Sequence, residues 1–218
     1  MPSASGIAIL GGTFDPIHFG HLRSAVEVRE ALQVDCIKFI PSHIPPHRDA
    51  PRSTAEQRVK MLKLAIDGVE GLEIDGRELA REGKSYAVDT LRSIREEVGS
   101  ELSVTTVIGF DSYRLLNEWR EWRALLDYAH IAVLERPGYS EHDLSDEVAD
   151  FSTGRFVDDP ACLRSRPHGL MCKLRLIQID ISATAIRNVI AAGKSPAFML
   201  PREVISYIYE NGLYGATL

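Results

Sequence analysis

Two histidines three residues apart, His18 and His21, carry the clearest chemical signal in this sequence of 218 residues. They close the run Gly11-Gly12-Thr13-Phe14-Asp15-Pro16-Ile17-His18-Phe19-Gly20-His21, which follows an apolar segment and opens one with helical spacing. Glycines after a strand let the backbone turn tightly and approach a ligand. A helix start presents free N–H groups and the positive end of its dipole. This spacing predicts an anion site at which two imidazoles donate hydrogen bonds to phosphate oxygens, as phosphoryl or nucleotidyl transfer requires.

A second run with phosphate chemistry lies far along the chain and reads Ile181-Ser182-Ala183-Thr184-Ala185-Ile186-Arg187. Hydroxyls, helix N–H groups and a permanently charged guanidinium together suit a triphosphate. The alternative is that Ser182 and Thr184 only cap a helix and that Arg187 lies on its solvated face. Neither run is a Walker loop or a GxGxxG fingerprint, which excludes a P-loop ATPase and a simple dehydrogenase.

Short apolar runs alternate with amphipathic segments along most of the chain, and these elements must position the two runs. Continuous apolar runs indicate strands buried on both faces, as in a parallel sheet, and they occur at 7–10, 36–40, 72–74, 104–108, 131–134 and 174–179. Of the helical segments, one opens with Thr54 and Gln57 as a capping box, and another opens at Ser182 and stops at Gly193. The alternation predicts an α/β fold: a Rossmann-like, doubly wound, mainly parallel sheet flanked by helices, with ligands beyond the carboxyl ends of its strands.

Residues 140–172 interrupt this alternation with an acidic stretch and then a basic one, and they carry no strong strand signal. We interpret them as a helical or loop excursion of a single domain that spans residues 1–218.

Composition excludes several classes of protein. A formal net charge of −6 without a basic stripe argues against nucleic-acid binding. The N-terminus lacks the pattern of a signal peptide, and no apolar stretch is long enough to span a membrane. Three cysteines do not suggest a disulfide framework, and Cys162, His168 and Cys172 fit no common zinc spacing, so no protein metal site is predicted. We expect a reduced, cytoplasmic protein, and the sequence leaves open whether it forms a homo-oligomer.

The first run resembles the signature of the HxGH-type nucleotidyltransferases, with His18-Phe19-Gly20-His21 as HxGH, and the second resembles their ISxTxIR signature. Segments between and after them are similar to those of the bacterial nicotinate-mononucleotide adenylyltransferases. The similar segments are Pro45-Pro46-His47-Arg48, Gln57-Arg58, Ser85-Tyr86, Ile108-Gly109-Phe110-Asp111-Ser112, Trp119, Arg136-Pro137-Gly138-Tyr139 and Gly212-Leu213-Tyr214. The chain departs from that family at Ala87, where a threonine is usual.

The resemblance implies transfer of AMP from ATP to nicotinate mononucleotide, giving nicotinate adenine dinucleotide and pyrophosphate, with Mg²⁺ bound mainly through ATP. It implies three catalytic residues: His18, His21 and Arg187. It implies ATP-binding roles for Gly11, Gly12, Thr13, Phe14, Gly109, Asp111, Arg136, Ile181, Ser182 and Thr184. It implies mononucleotide-binding roles for His47, Arg48, Tyr86, Ala87, Trp119 and Arg120, with Trp119 stacked on the pyridine ring.

Alternatives to these roles stay open at this point. His47, Arg48, Arg120 and Arg136 could be solvated, Asp111 could cap a helix, and Trp119 could be core, although Trp122 is the better core candidate. The acceptor could instead be nicotinamide mononucleotide or another phosphorylated molecule such as phosphopantetheine, although Trp119 favours a flat acceptor. A nucleotide-binding regulator without chemistry is a further alternative, against which the intact His18, His21, Thr184 and Arg187 argue.

Overall fold

A computed structural model of the chain describes residues 6–44, 50–135 and 143–217. Its centre is a sheet of six parallel strands in the order β3-β2-β1-β4-β5-β6. The strands are β1 Ile7–Gly12, β2 Cys36–Pro41, β3 Leu72–Ile74, β4 Val104–Gly109, β5 His130–Leu134 and β6 Met171–Leu174. This confirms the predicted Rossmann-like, doubly wound α/β class.

Helices cover both faces of the sheet. They are α1 Phe19–Leu32, α2 Ala55–Ile66, α3 Ala87–Val98, α4 Phe110–Tyr113, α5 Leu125–Tyr128, α6 Asp146–Ser152, α7 Ala183–Ala191 and α8 Arg202–Glu210. Short 3₁₀ helices lie at Leu116–Glu118, Trp122–Ala124, Pro160–Ser165 and Leu213–Gly215. Among the described residues, no helix combines the length and the apolar character needed to cross a membrane.

The core divides into two layers because successive side chains of a strand point to opposite faces. In β1, Ala8 packs with α1, α2, α7 and α8, whereas Ile7 and Ile9 pack with α3, α5 and α6. Strands covered on both sides are mostly apolar along their length, which is why the continuous runs located the first five of the six strands.

The predicted helix starts are also confirmed. The Thr54 hydroxyl accepts the Gln57 N–H, and the Gln57 side chain accepts the Thr54 N–H in return, so α2 begins with a capping box. The Ser182 hydroxyl accepts the Ala185 N–H at the start of α7.

The prediction of the last strand was wrong. The strand is β6, Met171–Leu174, and not residues 174–179. Met171 and Cys172 are fully buried, whereas Ile177 is 62% exposed. Four of the six residues at 174–179 are apolar, and this composition imitates a strand in a segment whose later residues lie near the surface. The excursion before β6 holds α6 and the 3₁₀ helix Pro160–Ser165.

Adjacent strands β1 and β4 lie where the strand order reverses direction. In doubly wound sheets, this switch point leaves a crevice beyond the carboxyl ends of the strands. Strand β1 ends at Gly12 and β4 ends at Gly109, so the first histidine motif and Asp111 both follow strands that border this crevice.

Candidate active site

The turn after β1 is shaped by Phe14, which has a left-handed φ of 52° and is 2% exposed. Its ring lies so close to Gly12 that a Cβ at that position would be 2.9 Å from it. A side chain at Gly12 would therefore displace the ring. At Gly11, by contrast, a Cβ would meet open space, which leaves the end of β1 accessible to a ligand.

The two histidines stack on one another at the start of α1. His18 is the N-cap residue, and the centres of the His18 and His21 rings are 3.7 Å apart at an angle of 27°. The Phe14 ring meets His21 edge-on, with ring centres 5.2 Å apart. Stacking fixes the orientation of both imidazoles, and it confirms that they face the same side of the helix start.

Burial controls the charge of His18. The residue is 5% exposed, and desolvation lowers its pKa to about 4. Its Nδ1 is buried without a hydrogen-bond partner among residues 6–44, 50–135 and 143–217. At neutral pH, His18 is therefore a neutral imidazole, which can donate one hydrogen bond to a phosphate oxygen.

The second motif contacts the first, although most of the sequence separates them. Nη1 of Arg187 donates to the carbonyl oxygen of Asp15 at 2.8 Å, and Nη2 donates to the Thr184 hydroxyl at 3.0 Å. The carbonyl oxygen of Ile181 would be 3.5 Å from a Cβ at Gly20. The start of α7 therefore packs against the start of α1. Arg187 is partly buried, and this contradicts the alternative that it lies on a solvated face.

Asp15 lies at the centre of a buried network that the sequence did not predict. Its Oδ1 accepts the Ser53 hydroxyl at 2.5 Å and the Tyr214 hydroxyl at 2.7 Å, and its Oδ2 accepts the Arg52 backbone N–H at 2.7 Å. Nearby, Arg58 is 1% exposed. Its Nη1 donates to the carbonyl oxygens of Thr13 and Ser42.

The sequence offered only indirect signals of this network. Arg58 and Tyr214 belong to segments that resemble the adenylyltransferases, but an arginine and a tyrosine on helical segments look like surface residues by pattern. The contacts that define their role join positions 45 and 199 residues apart.

Gly109 and Asp111 lie at the end of β4, next to the first motif in the sheet. Gly109 is the N-cap residue of α4, and Asp111 is in the first turn of that helix. The predicted position of Asp111 just after a strand is confirmed, and the short helix keeps it at the edge of the crevice.

Residues predicted to bind the mononucleotide gather at the start of α3. Tyr86 is the N-cap residue and Ala87 is the first helical residue. The Arg120 guanidinium lies over the Tyr86 ring, 4.9 Å from its centre, and Arg120 also pairs with Asp89 at 3.4 Å. Trp119 is only partly buried, whereas Trp122 is 8% exposed and belongs to the core.

Hydrogen bonds tie this turn to the end of β2. The His43 N–H donates to the Ser85 hydroxyl, and the Ser85 N–H donates to the Ile44 carbonyl oxygen. His47, Arg48 and Arg136 lie outside the described residues. Within the described ranges, no group of three His, Cys, Asp or Glu side chains could hold a metal ion.

Comparison with known proteins shows extensive similarity. The Cytidylyltransferase-like family matches residues 9–189. A protein of Marinobacter nauticus named probable nicotinate-nucleotide adenylyltransferase is 46% identical over 95% of this chain and 96% of its own. A protein of Chromohalobacter salexigens with the same name is 44% identical over 95% of each chain.

Among solved structures, the nicotinic acid mononucleotide adenylyltransferase of Plasmodium falciparum complexed with NaAD has the same fold. Its TM-score is 0.74 at 14% identity, over 97% of this chain and 98% of that one.

Proposed function

The chain belongs to the nicotinate-nucleotide adenylyltransferase family, and from that premise we propose how its residues transfer AMP from ATP to nicotinate mononucleotide. The products are nicotinate adenine dinucleotide and pyrophosphate, on the route to NAD. One observation carries the assignment of residues: Arg187 of the second motif donates to the Asp15 carbonyl of the first, 2.8 Å away and 172 positions earlier. A guanidinium and two stacked imidazoles thus lie at one helix–helix junction beyond β1.

The reaction is an in-line displacement at the α-phosphorus of ATP. A phosphate oxygen of the mononucleotide forms the new P–O bond, the bond to the bridging oxygen breaks, and pyrophosphate leaves with that electron pair. Such transfers depend on positioning and charge stabilisation, and no covalent enzyme intermediate is needed. His21 donates to the α-phosphate as charge develops there, and His18 contacts the phosphates from the cap of α1.

The remaining roles follow the position of each residue along the crevice. The ATP phosphates lie against the turn after β1 and the start of α7, with Arg187 on the leaving phosphates; these segments supply Gly11, Gly12, Thr13, Phe14, Ile181, Ser182 and Thr184. Gly109 and Asp111 hold the ribose. The mononucleotide lies at the start of α3, against Tyr86, Ala87, Trp119 and Arg120.

Mg²⁺ fits this site as a cation carried by ATP. Magnesium prefers oxygen ligands, keeps several waters, and is commonly bound through substrate phosphates and one or two carboxylates. Both carboxylate oxygens of Asp15 accept hydrogen bonds from the protein, so that side chain is not available as a magnesium ligand. When bound, the ion neutralises charge on the triphosphate and on the departing pyrophosphate.

We also propose that residues 1–218 form one nucleotidyltransferase domain, of which 140–172 is an excursion. Leu163 of the excursion is 1% exposed within the core beside α1. Its carbonyl oxygen accepts the Ser103 hydroxyl, and Arg164 donates to Gln33. The excursion therefore contributes Leu163 to the core of the domain and joins α1 at the surface through Arg164.

Release of pyrophosphate with a panel of acceptors tests the function. We expect turnover with ATP and nicotinate mononucleotide, less with nicotinamide mononucleotide, and none with phosphopantetheine.

The His21→Ala variant should bind ATP but turn over at least ~100-fold more slowly, the scale for a lost transition-state donor. A near-normal kcat in that variant would refute the role of His21, and no release with any acceptor would indicate a nucleotide-binding regulator.

A further inference from the structure

Asp15 is part of the first motif, yet its side chain faces other protein groups. It is 5% exposed, and its two carboxylate oxygens accept three hydrogen bonds, from the Ser53 hydroxyl, the Tyr214 hydroxyl and the Arg52 backbone N–H. A carboxylate satisfied in this way does not contact phosphate, which it would also repel. Its contribution to the site must therefore pass through its own backbone.

The backbone of Asp15 reaches the groups proposed to act on ATP. Its carbonyl oxygen accepts Nη1 of Arg187 at 2.8 Å. One residue earlier, Phe14 packs edge-on against His21, and three residues later His18 caps α1. A group that holds the Asp15 carboxylate in place therefore also fixes the turn that accepts the hydrogen bond of Arg187 and supports the histidine pair.

Tyr214 is a well-suited anchor for that carboxylate. It lies in the 3₁₀ helix Leu213–Gly215 with a left-handed φ of 59°, a conformation that is uncommon for a bulky side chain. Burial raises the pKa of its phenol above the ordinary value, so the hydroxyl keeps its proton and donates. The same hydroxyl lies 3.3 Å from the Ser53 hydroxyl, so the two hydroxyls and Oδ1 of Asp15 are joined pairwise by hydrogen bonds.

We propose that Tyr214, together with Ser53, is a positioning residue for adenylyl transfer. By holding the Asp15 carboxylate, it sets the place of the Arg187 guanidinium and of the turn before the histidine pair, without contacting either substrate. This inference rests on the proposed function. It adds a residue from the 3₁₀ helix Leu213–Gly215 to the junction of the two motifs.

The test is the Tyr214→Phe variant, which removes one hydroxyl and leaves Asp15 its other two donors. Since small misplacements of reacting groups cost up to ~100-fold in rate, we expect kcat/KM for ATP to fall roughly tenfold. The KM for nicotinate mononucleotide should stay within about twofold, because the start of α3 is not part of this network. The matched control is Tyr209→Phe in α8, whose hydroxyl makes no hydrogen bond within the described residues.

A double-mutant cycle separates positioning from general stability. If Tyr214 acts through Asp15 and Arg187, Tyr214→Phe should cost clearly less in the Arg187→Ala background than in the wild type. Equal costs in both backgrounds, or equal rises in the KM values of both substrates, would overturn the proposal. If Tyr214→Phe does not fold, Ser53→Ala takes its place with the same expectations. Wild-type turnover is measured first, so absence of activity there refutes the proposed function and not this inference.

Discussion

Burial of His18 has a consequence at the residue scale for how the site responds to charge. A buried imidazole with a pKa of about 4 is neutral at physiological pH. Binding of a triphosphate brings negative charge beside it, and nearby opposite charge favours the protonated form. We therefore expect ATP to raise the pKa of His18 and to be bound with uptake of protons at mildly acidic pH.

The first prediction concerns the pH dependence of stability. In the unfolded chain, His18 titrates near its ordinary value of 6.5, whereas in the folded protein it titrates near 4. Between these values the unfolded state binds more protons, so the free energy of unfolding falls as the pH is lowered from about 6.5 to about 4. Urea unfolding at several pH values should show this slope in the wild type.

A matched variant isolates the contribution of His18. Burial also lowers the pKa of His130, which adds to the same slope. His18→Gln should lose only the His18 part of the slope and retain the rest, including the part due to His130. NMR should show the His18 imidazole titrating near 4 without ligand and at higher pH with ATP; a free-protein value near 6.5 would mean that His18 is solvated.

At the scale of secondary-structure elements, we expect the start of α3 to determine the choice of acceptor. Tyr86 supplies no side-chain capping bond, so the first turn of α3 offers backbone N–H donors at the proposed edge of the pyridine ring. Asp89 in that turn would repel a carboxylate, but Arg92 and Arg120 pair with it at 3.2 and 3.4 Å. Donors alone favour nicotinate, because the amide of nicotinamide would direct its own N–H groups at them.

The second prediction removes one of these donors. Proline suits the first position of a helix, and Tyr86 has φ −105° and ψ 131°, a conformation allowed before proline. Ala87→Pro should therefore fold and reduce the preference for nicotinate over nicotinamide mononucleotide by about 1–3 kcal/mol. Competition kinetics with both acceptors measure the ratio of kcat/KM. Ala87→Thr, which keeps the N–H, should preserve the preference, and an unchanged ratio in Ala87→Pro would place the discriminating donors elsewhere.

At the scale of the whole molecule, the candidate site lies at one end of the sheet and the hydrogen bonds of Arg95 lie at the other. Arg95 of α3 donates to the carbonyl oxygens of four residues that precede or flank the starts of β4, β5 and β6: Gly99, Leu102, Tyr128 and Pro167. Gly99, Leu102 and Pro167 lie in loops and Tyr128 ends α5; the Pro167 carbonyl also accepts the Val104 N–H of β4. One guanidinium therefore joins the amino-terminal ends of three strands.

The third prediction follows from that arrangement. Arg95→Ala should lower the free energy of unfolding by about 2–4 kcal/mol, since several charge-assisted hydrogen bonds to carbonyls are lost together. The KM values for both substrates should stay within about twofold of the wild type. Urea unfolding and steady-state kinetics measure the two effects. Arg95→Lys keeps the charge but fewer of the hydrogen bonds, so its free energy of unfolding should lie between those of the wild type and Arg95→Ala. A large rise in the KM for ATP would show that the two ends of the sheet are coupled.

The sequence predicted most of the sheet and the helix starts because each has a local physical cause. Burial on both faces, a capping box at Thr54 and a hydroxyl cap at Ser182 are all visible within a few residues. The last strand was misplaced because the apolar residues of the segment 174–179 imitate a strand, while Met171 and Cys172 lack a distinctive pattern. The roles of Arg58 and Tyr214 could not be predicted, since they depend on contacts between distant segments and not on spacing.

The hydrogen bond between Tyr214 and Asp15 also sets an order in time. At roughly 5–20 residues per second, a ribosome needs roughly 10–40 s to add the 199 residues between them. The turn at Tyr86 and strand β1 are synthesised long before Arg187 and Tyr214 can reach Asp15. We therefore expect a growing chain to lack this anchor of its ATP side until residue 214 has been added.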